Sequence, residues 1–488
     1  MADRYAHTGH PCGLTSVTGV SPGNFRRGKE GAGLSRLRAE GLLETIIAGH
    51  LGNAPDIAEL VGENKAAGYL LPLGVMMHLL RAAAGKKPGV VTQVGLGTHA
   101  DPRNEGCKAN KKAVLQNREV VKLLHIGEQE YLYYPSFPID VCLIRGTYAD
   151  VSGNISMTHE SLDEAQLQMA AAVHNGGGIV IVQVEDVVEE RSLSARSVRI
   201  PRSMVDYYVK AQPEYQKQFY ASERLYHGEM TGEICCPAEA IESMPLNTRK
   251  VIARRAAKEL KPNCLINLGI GLPSGVGNVA NEEGVAQEMT LSLESGVFGG
   301  VPLPGDGFGG AVNPESILSA ADTFDLYDGG ILDMTFLGAA EVDQCGNVNV
   351  SRFGTRCTGP GGFINISQST SKVIFMLNFT SGQPDIACQG GRLQIHRDGG
   401  GMKFVKKVQQ ITFSGDYAQK KKQSVTYITE RAVFQLTEEG LMLVEIAPGT
   451  DLQRDILDHM EFLPVIAKDL KTMDRSIFTD AKIGLTLQ

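Results

Sequence analysis

Four stretches of this 488-residue chain hold residue types and spacings capable of chemistry. The first is LSLESGVFGG (291–300), where Glu294 ends an apolar strand pattern and is followed by Ser295 and Gly296. Ligands of open α/β sheets gather beyond the carboxyl ends of strands, so a carboxylate there is placed to act on one; a solvated strand end gives the same pattern. The second runs Thr358-Gly359-Pro360-Gly361-Gly362-Phe363-Ile364-Asn365. Gly359, Gly361 and Gly362 leave backbone N–H groups free to point at an oxyanion, or form a plain tight turn. In the third, Gly269, Gly271 and Gly275 make a strand-to-helix loop that seats an anion or simply packs closely. Their spacing is not the dinucleotide pattern G-x-G-x-x-G. The fourth is His99 with Asp101, which has no second histidine at ligand spacing, so no metal is expected. H-E-x-x-H, G-x-S-x-G and G-x-x-x-x-G-K-[ST] do not occur.

The elements that position these residues come from an internal repeat. Residues 139–157 (IDVCLIRGTYADVSGNISM) match 332–350 (LDMTFLGAAEVDQCGNVNV) at a constant offset of 193. Asp140 falls on Asp333, Asp150 on Asp343, and Gly153-Asn154 on Gly346-Asn347. Each copy reads as a strand, a D-x-x-G-N turn and a second strand, the turn residues suiting a hairpin. Buried-type strands follow at 177–184 and 372–379, and 90–96 and 288–293 read as strands before each copy. Aligning Thr92 of VVTQVGLGT with Thr290 of EMTLSLESG sets Leu96 opposite Glu294, so the carboxylate belongs to one half only and has more claim to chemistry than the shared Asp150 and Asp343. Thr248 to Leu260 reads as a helix with its basic residues facing outward. Strands alternating with helices predict an α/β protein of two similar domains, each a mainly parallel sheet flanked by helices. The expected division is 1–208, a polar linker 209–247, and 248–488.

Composition narrows the function. Lys plus Arg is 47 against 55 for Asp plus Glu, a net charge of −8, which disfavours non-specific nucleic-acid binding. The most apolar stretch, Gly68 to Gly85, is broken by Pro72, His78 and Arg81 and reads as a loop and an amphipathic helix, not a membrane span. Nine cysteines without any C-x-x-C suit reduced thiols, and the start has no apolar signal core; a cytoplasmic location is expected.

The chain resembles the family I coenzyme A transferases, within them the fused single-chain acetate and propionate CoA-transferases. The resemblance rests on GLGTHADPRNEGCK (95–108), EYLYYPSFPID (130–140), HNGGGIVIVQVE (174–185), LSLESGVFGG (291–300), AEVDQCGNVNVSRFG (340–354), GPGGFINIS (359–367), YITERAVF (427–434) and VEIAPGTDLQRDILD (444–458). It implies the CoA-transferase fold, with an active site between the two domains. It also implies that Glu294 is the catalytic glutamate and that Gly359, Gly361 and Gly362 hold the thioester carbonyl and CoA. CoA transfer between a short-chain acyl-CoA and a carboxylic acid would then pass through a glutamyl-CoA thioester, with ping-pong kinetics. Coenzyme A enters as acyl-CoA substrate, with no permanently bound cofactor or metal, and a homo-oligomer is expected. In two respects the chain departs from the family. The family's first strand, glycine loop and helix have no counterpart ahead of Leu14, so the first sheet is expected to be one strand short, with an exposed pairing edge. The family's P-Q-G reads Pro72-Leu73-Gly74, so Leu73 replaces an amide aimed at the site. Both motivate an alternative, an impaired acyl-CoA-binding relative or slow acyl-CoA hydrolase.

Overall fold

The structure, a computed structural model, describes residues 14–18, 34, 37–39, 41–218, 224–237, 243–303, 307 and 309–487. The second half is built on a ten-stranded sheet. Five inner strands run parallel in the spatial order Thr290–Ser292, Leu265–Leu268, Met334–Gly338, Lys372–Met376, Ser424–Ile428. Antiparallel strands extend both flanks, among them Val297–Phe298 on one side and Ala432–Thr437 on the other. The inner strands are apolar on both faces because helices cover both. Met334, Phe336 and Ile374 pack under the helices Thr248–Ala257 and Ser274–Glu283. Leu337, Val373 and Phe375 pack against Ala320–Asp328 and Phe363–Ser369.

The first half repeats the centre of this plan. Val141–Arg145, Ile179–Val184 and Tyr207–Lys210 form a parallel three-stranded sheet. Ile179 pairs with Val141 as Lys372 pairs with Met334, the same register at the 193-residue offset. The shared aspartates make the turns: Asp150 accepts from the Asn154 backbone and side chain at 2.9 and 2.8 Å, and Asp343 from those of Asn347 at 3.0 Å each. Gly153 and Gly346 sit at φ 95° and 75°, where a side chain would be strained. A second parallel sheet joins Leu14–Thr18, Leu43–Ala48 and Ala67–Leu70.

Three sequence expectations are corrected. The strand expected over 90–96 stops at Thr92 and pairs antiparallel with Gln129–Pro135, outside any parallel sheet. Leu96 and Glu294 therefore lie on non-equivalent elements. The strand Tyr207–Lys210 runs through the boundary drawn at 208 because it completes the first-half sheet. The basic residues of helix Thr248–Ala257 do not all face water: Lys250, Arg254 and Arg255 are buried. Arg254 donates to the carbonyls of Thr479 and Ala481, and Arg255 forms a bidentate pair with Glu445 at 2.8 Å.

The halves share one core. Helix Leu73–Ala84 of the first half puts Leu73, Met77 and Leu80 into the cluster that holds Phe324, Tyr327 and Phe363. His78 meets Asp325 at 2.9 Å and Arg81 meets Asp322 at 2.6 Å along the seam. Among the described residues, no helix is long and apolar enough to cross a membrane.

Candidate active site

Glu294 stands two residues beyond the strand Thr290–Ser292, on a turn closed by Gly296 N–H donating to the Leu293 carbonyl at 3.0 Å. Gly296 adopts φ 107°, and a Cβ there would overlap the Leu318 carbonyl oxygen. The turn is thus fixed by a position only glycine fills comfortably. A buried polar ladder steadies the strand beneath. Tyr327 OH donates to Ser292 Oγ at 2.9 Å, Ser292 Oγ to the Ile266 carbonyl at 3.1 Å, and Thr335 Oγ1 to Asn267 Oδ1 at 3.1 Å.

The glycine loop comes from the same half but is laced to the other. Gly361 N–H donates to the Gly49 carbonyl at 2.9 Å, Leu51 N–H to Thr358 O at 2.6 Å, and Leu73 N–H to Gly361 O at 2.8 Å. Gly359 N–H donates to the Ser351 carbonyl at 3.3 Å. The N–H groups of Gly359 and Gly361 thereby hold the loop in place. The Gly362 backbone N–H lies near enough to the Glu294 carboxylate to lower its pKa, and a Cβ on Gly362 would overlap Oε2 of that carboxylate. Of the three glycines, Gly362 is the one whose N–H faces the acid. Gly74 N–H donates to Asn365 Oδ1 at 3.1 Å, and a Cβ on Gly74 would meet Phe324 Cδ1 at 2.6 Å, so first-half helix and loop approach closely.

The electrostatics suit a nucleophile in a dry site. Burial pushes the Glu294 carboxyl up to about 7, against the lowering effect of the Gly362 N–H. Among the described residues, no arginine or lysine contributes to that shift. Glu294, partly buried, is thus ionised in a substantial fraction at neutral pH and incompletely solvated, which favours nucleophilic attack. The Leu73 side chain is buried beside this loop and brings no polar group to it.

A second carboxyl feels the charge of Glu294 and carries no motif. Glu164 precedes helix Gln166–Asn175, holds a left-handed backbone at φ 46°, and accepts Ala320 N–H through its own carbonyl at 2.6 Å. Its Oε1 is shut off from solvent without a hydrogen-bond partner among the described residues. Burial, then the charge of Glu294, holds its carboxyl well above the ordinary range. Comparison of the two halves gives the one signal that marks it, because its counterpart at the 193-residue offset is Cys357.

The other sequence candidates are elsewhere. Gly275 is packed against Ala253 and Met244, where a Cβ would meet neighbours at 3.1 and 3.2 Å, so closeness of helix packing accounts for it. Gly269 N–H donates to the Phe336 carbonyl at 2.8 Å, and Gly271 turns the loop at φ 88°. His99 is buried with Nε2 3.2 Å from the Leu70 carbonyl, and Asp101 holds Arg103 at 2.7 Å.

Comparison with known proteins bears on the whole chain. The coenzyme A transferase family model matches residues 10–211 and 249–454. Caffeate CoA-transferase of Acetobacterium woodii is 44% identical over 491 residues, covering 99% of this chain and 92% of that protein. Acetate CoA-transferase YdiF of Escherichia coli K12 is 41% identical over 487 residues, covering 100% and 90%. The crystal structure of the acyl-CoA transferase YdiF apoenzyme from Escherichia coli O157:H7 superposes with a TM-score of 0.91 at 40% identity, covering 100% and 90%. Its thioester complex with CoA gives 0.90, also at 40% identity and the same coverage. With its sequence matched from end to end and the fold shared over the whole length, the chain belongs to the coenzyme A transferase family and is a CoA-transferase.

Proposed function

We propose that the chain moves CoA from a short-chain acyl-CoA to a carboxylic acid of the acetate or propionate type, with Glu294 as covalent carrier. The observation that carries this is the Glu294 carboxyl, desolvated and facing Gly362 N–H where the two halves meet. An oxygen of the Glu294 carboxylate attacks the thioester carbonyl carbon, and the C=O electron pair moves onto oxygen. Collapse expels CoA thiolate and leaves a mixed anhydride. The thiolate then attacks the glutamyl carbonyl, giving glutamyl-CoA thioester and the free acid. A second carboxylate reverses both steps and leaves as its own CoA ester. The thioester free energy stays on the enzyme throughout, and kinetics are ping-pong. Gly362 N–H steadies the Glu294 carboxylate, while Gly359 and Gly361 hold the loop that forms this wall of the site for the thioester and CoA.

The acid class is supported by the similarity to an acetate CoA-transferase, while the caffeate enzyme is comparably similar. Apolar pockets separate acids that differ by one methylene by only about 1–3 kcal/mol, so rates with acetate, propionate and caffeate as acceptors decide it. The reading includes a cytoplasmic, homo-oligomeric enzyme.

The covalent step is tested by incubating the purified chain with propionyl-CoA and then borohydride. Reduction of a glutamyl thioester to the alcohol lowers the mass by about 14 Da, and peptide mapping is expected to place the loss on Glu294. CoA binding without that loss would favour the impaired acyl-CoA-binding alternative, and release of free CoA insensitive to added acetate would favour the hydrolase.

A further inference from the structure

We propose that Glu164 is the side-chain oxyanion donor of this site, a neutral carboxylic acid whose O–H faces the thioester oxygen as Glu294 attacks. The proposal rests on Glu294 being the nucleophile. Three geometric observations carry it. First, Glu164 is tied to the backbone framework of Glu294: its carbonyl takes Ala320 N–H at 2.6 Å, and two residues earlier Leu318 N–H donates to Gly296 O at 2.8 Å. Second, Glu164 holds a left-handed backbone at φ 46°, a conformation that costs a non-glycine residue about 1–3 kcal/mol and persists where the surroundings enforce it. Third, its Oε1 is enclosed without a hydrogen-bond partner among the described residues.

A group left in that state is ready for a partner that arrives with the substrate. Leu73 offers no side-chain donor, and Gly359 and Gly361 have spent their N–H groups on Ser351 and Gly49. A carboxyl that feels the charge of an ionised Glu294 and is itself desolvated retains its proton, since two poorly screened anions close together are costly. The charged groups bearing on Glu164 are Glu294 and Asp163, both acidic. Arg199 is engaged by Asp163, whose other charged neighbour, Asp322, is acidic as well. Among the described residues, no cation is therefore available to pull the Glu164 proton off. During the reaction that proton stays on Glu164. As Glu294 oxygen bonds to the thioester carbon and the C=O pair moves to oxygen, the O–H hydrogen bond to that oxygen shortens. Collapse expels thiolate and the bond relaxes.

The test compares Glu164→Leu with Glu164→Gln, which keeps a donor and cannot ionise. With propionyl-CoA and acetate, Glu164→Leu is expected to lose about 10²-fold in kcat, the usual cost of one oxyanion donor, with little change in KM. Glu164→Gln should recover most of that loss. The wild type should lose kcat at alkaline pH as Glu164 ionises, and Glu164→Gln should not. An unchanged kcat in Glu164→Leu, a Glu164→Gln as slow as the leucine variant, or an alkaline fall that survives in Glu164→Gln would each overturn the proposal. If Glu164→Leu does not fold, the pH profile of Glu164→Gln decides alone. The borohydride mass loss on wild-type Glu294 is scored separately, so failure of the covalent reading is distinguished from failure of this one.

Discussion

At the scale of the residue, Glu294, the proposed nucleophile, is held at a cost in stability. The Glu294 carboxyl rises from an ordinary value of 4.5 to about 7, so burial penalises its ionised form. Below pH 4.5 both folded and unfolded chains carry the acid and the penalty is absent. It grows as pH rises towards about 7 and is complete above that. At about 1.4 kcal/mol per unit the full penalty is on the order of 3 kcal/mol, less whatever solvent reaches the group. Glu294→Gln should therefore unfold at higher urea than the wild type at pH 8, by about 1–3 kcal/mol, and show little advantage at pH 5. A gain of equal size at both values would trace the effect to packing instead. Such a trade of stability for function is common at catalytic residues. The strand-end position of Glu294 beside Ser295 and Gly296 was legible in the sequence, while its proposed role came from the family resemblance. Glu164, the proposed oxyanion donor, was not, because no motif surrounds it and its position depends on Ala320, brought close only by the fold.

At the scale of the element, the glycine loop acts as a clasp between halves. Gly359 sits at φ 82° with a would-be Cβ 2.6 Å from the Gly49 carbonyl oxygen, whereas Gly354, at φ 60°, has open space around it. Alanine at either position meets the left-handed penalty of about 1 kcal/mol. Only Gly359→Ala also forces the loop from Gly49, so it should cost roughly 2 kcal/mol more and lower transferase turnover, while Gly354→Ala leaves turnover intact. Paired thermal melts and steady-state rates check this, and equal losses at the two positions would remove the clasp from the account. The elements themselves were legible where local chemistry governs them. The D-x-x-G-N turns at Asp150 and Asp343 and their flanking strands lie where the repeat put them. Legibility failed where distant partners decide. Val94 and Leu96 continue an apolar run, yet the strand ends at Thr92 because the pairing strand Gln129–Pro135 ends its contact there. Arg254 reads as a solvent-facing helix residue, yet it is buried because Thr479 and Ala481, more than 200 residues on, supply carbonyls to its guanidinium.

At the scale of the whole molecule, the two halves are alike in plan and unequal in cover. Met334 and Phe336 are 2% and 0% exposed beneath helix Thr248–Ala257. Their counterparts at the 193-residue offset, Val141 and Leu143, are 50% and 74% exposed. Tyr207 and Val209 extend the same open apolar area on the other outer strand of that sheet. Val141–Arg145 is also an edge: its counterpart Met334–Gly338 pairs with Leu265–Leu268, while among the described residues it pairs only with Ile179–Val184. An apolar face joined to a free strand edge favours pairing between chains. The chain is therefore expected to self-associate through this face in a concentration-dependent way. Leu143→Glu sets a charge in its middle and should shift sedimentation velocity towards smaller species, with turnover per chain retained because Glu294 lies at the seam between the halves. The same distribution of species in variant and wild type would show that whatever joins the chains lies elsewhere. Loss of turnover together with the larger species would mean that assembly itself is needed to hold the seam in its active form.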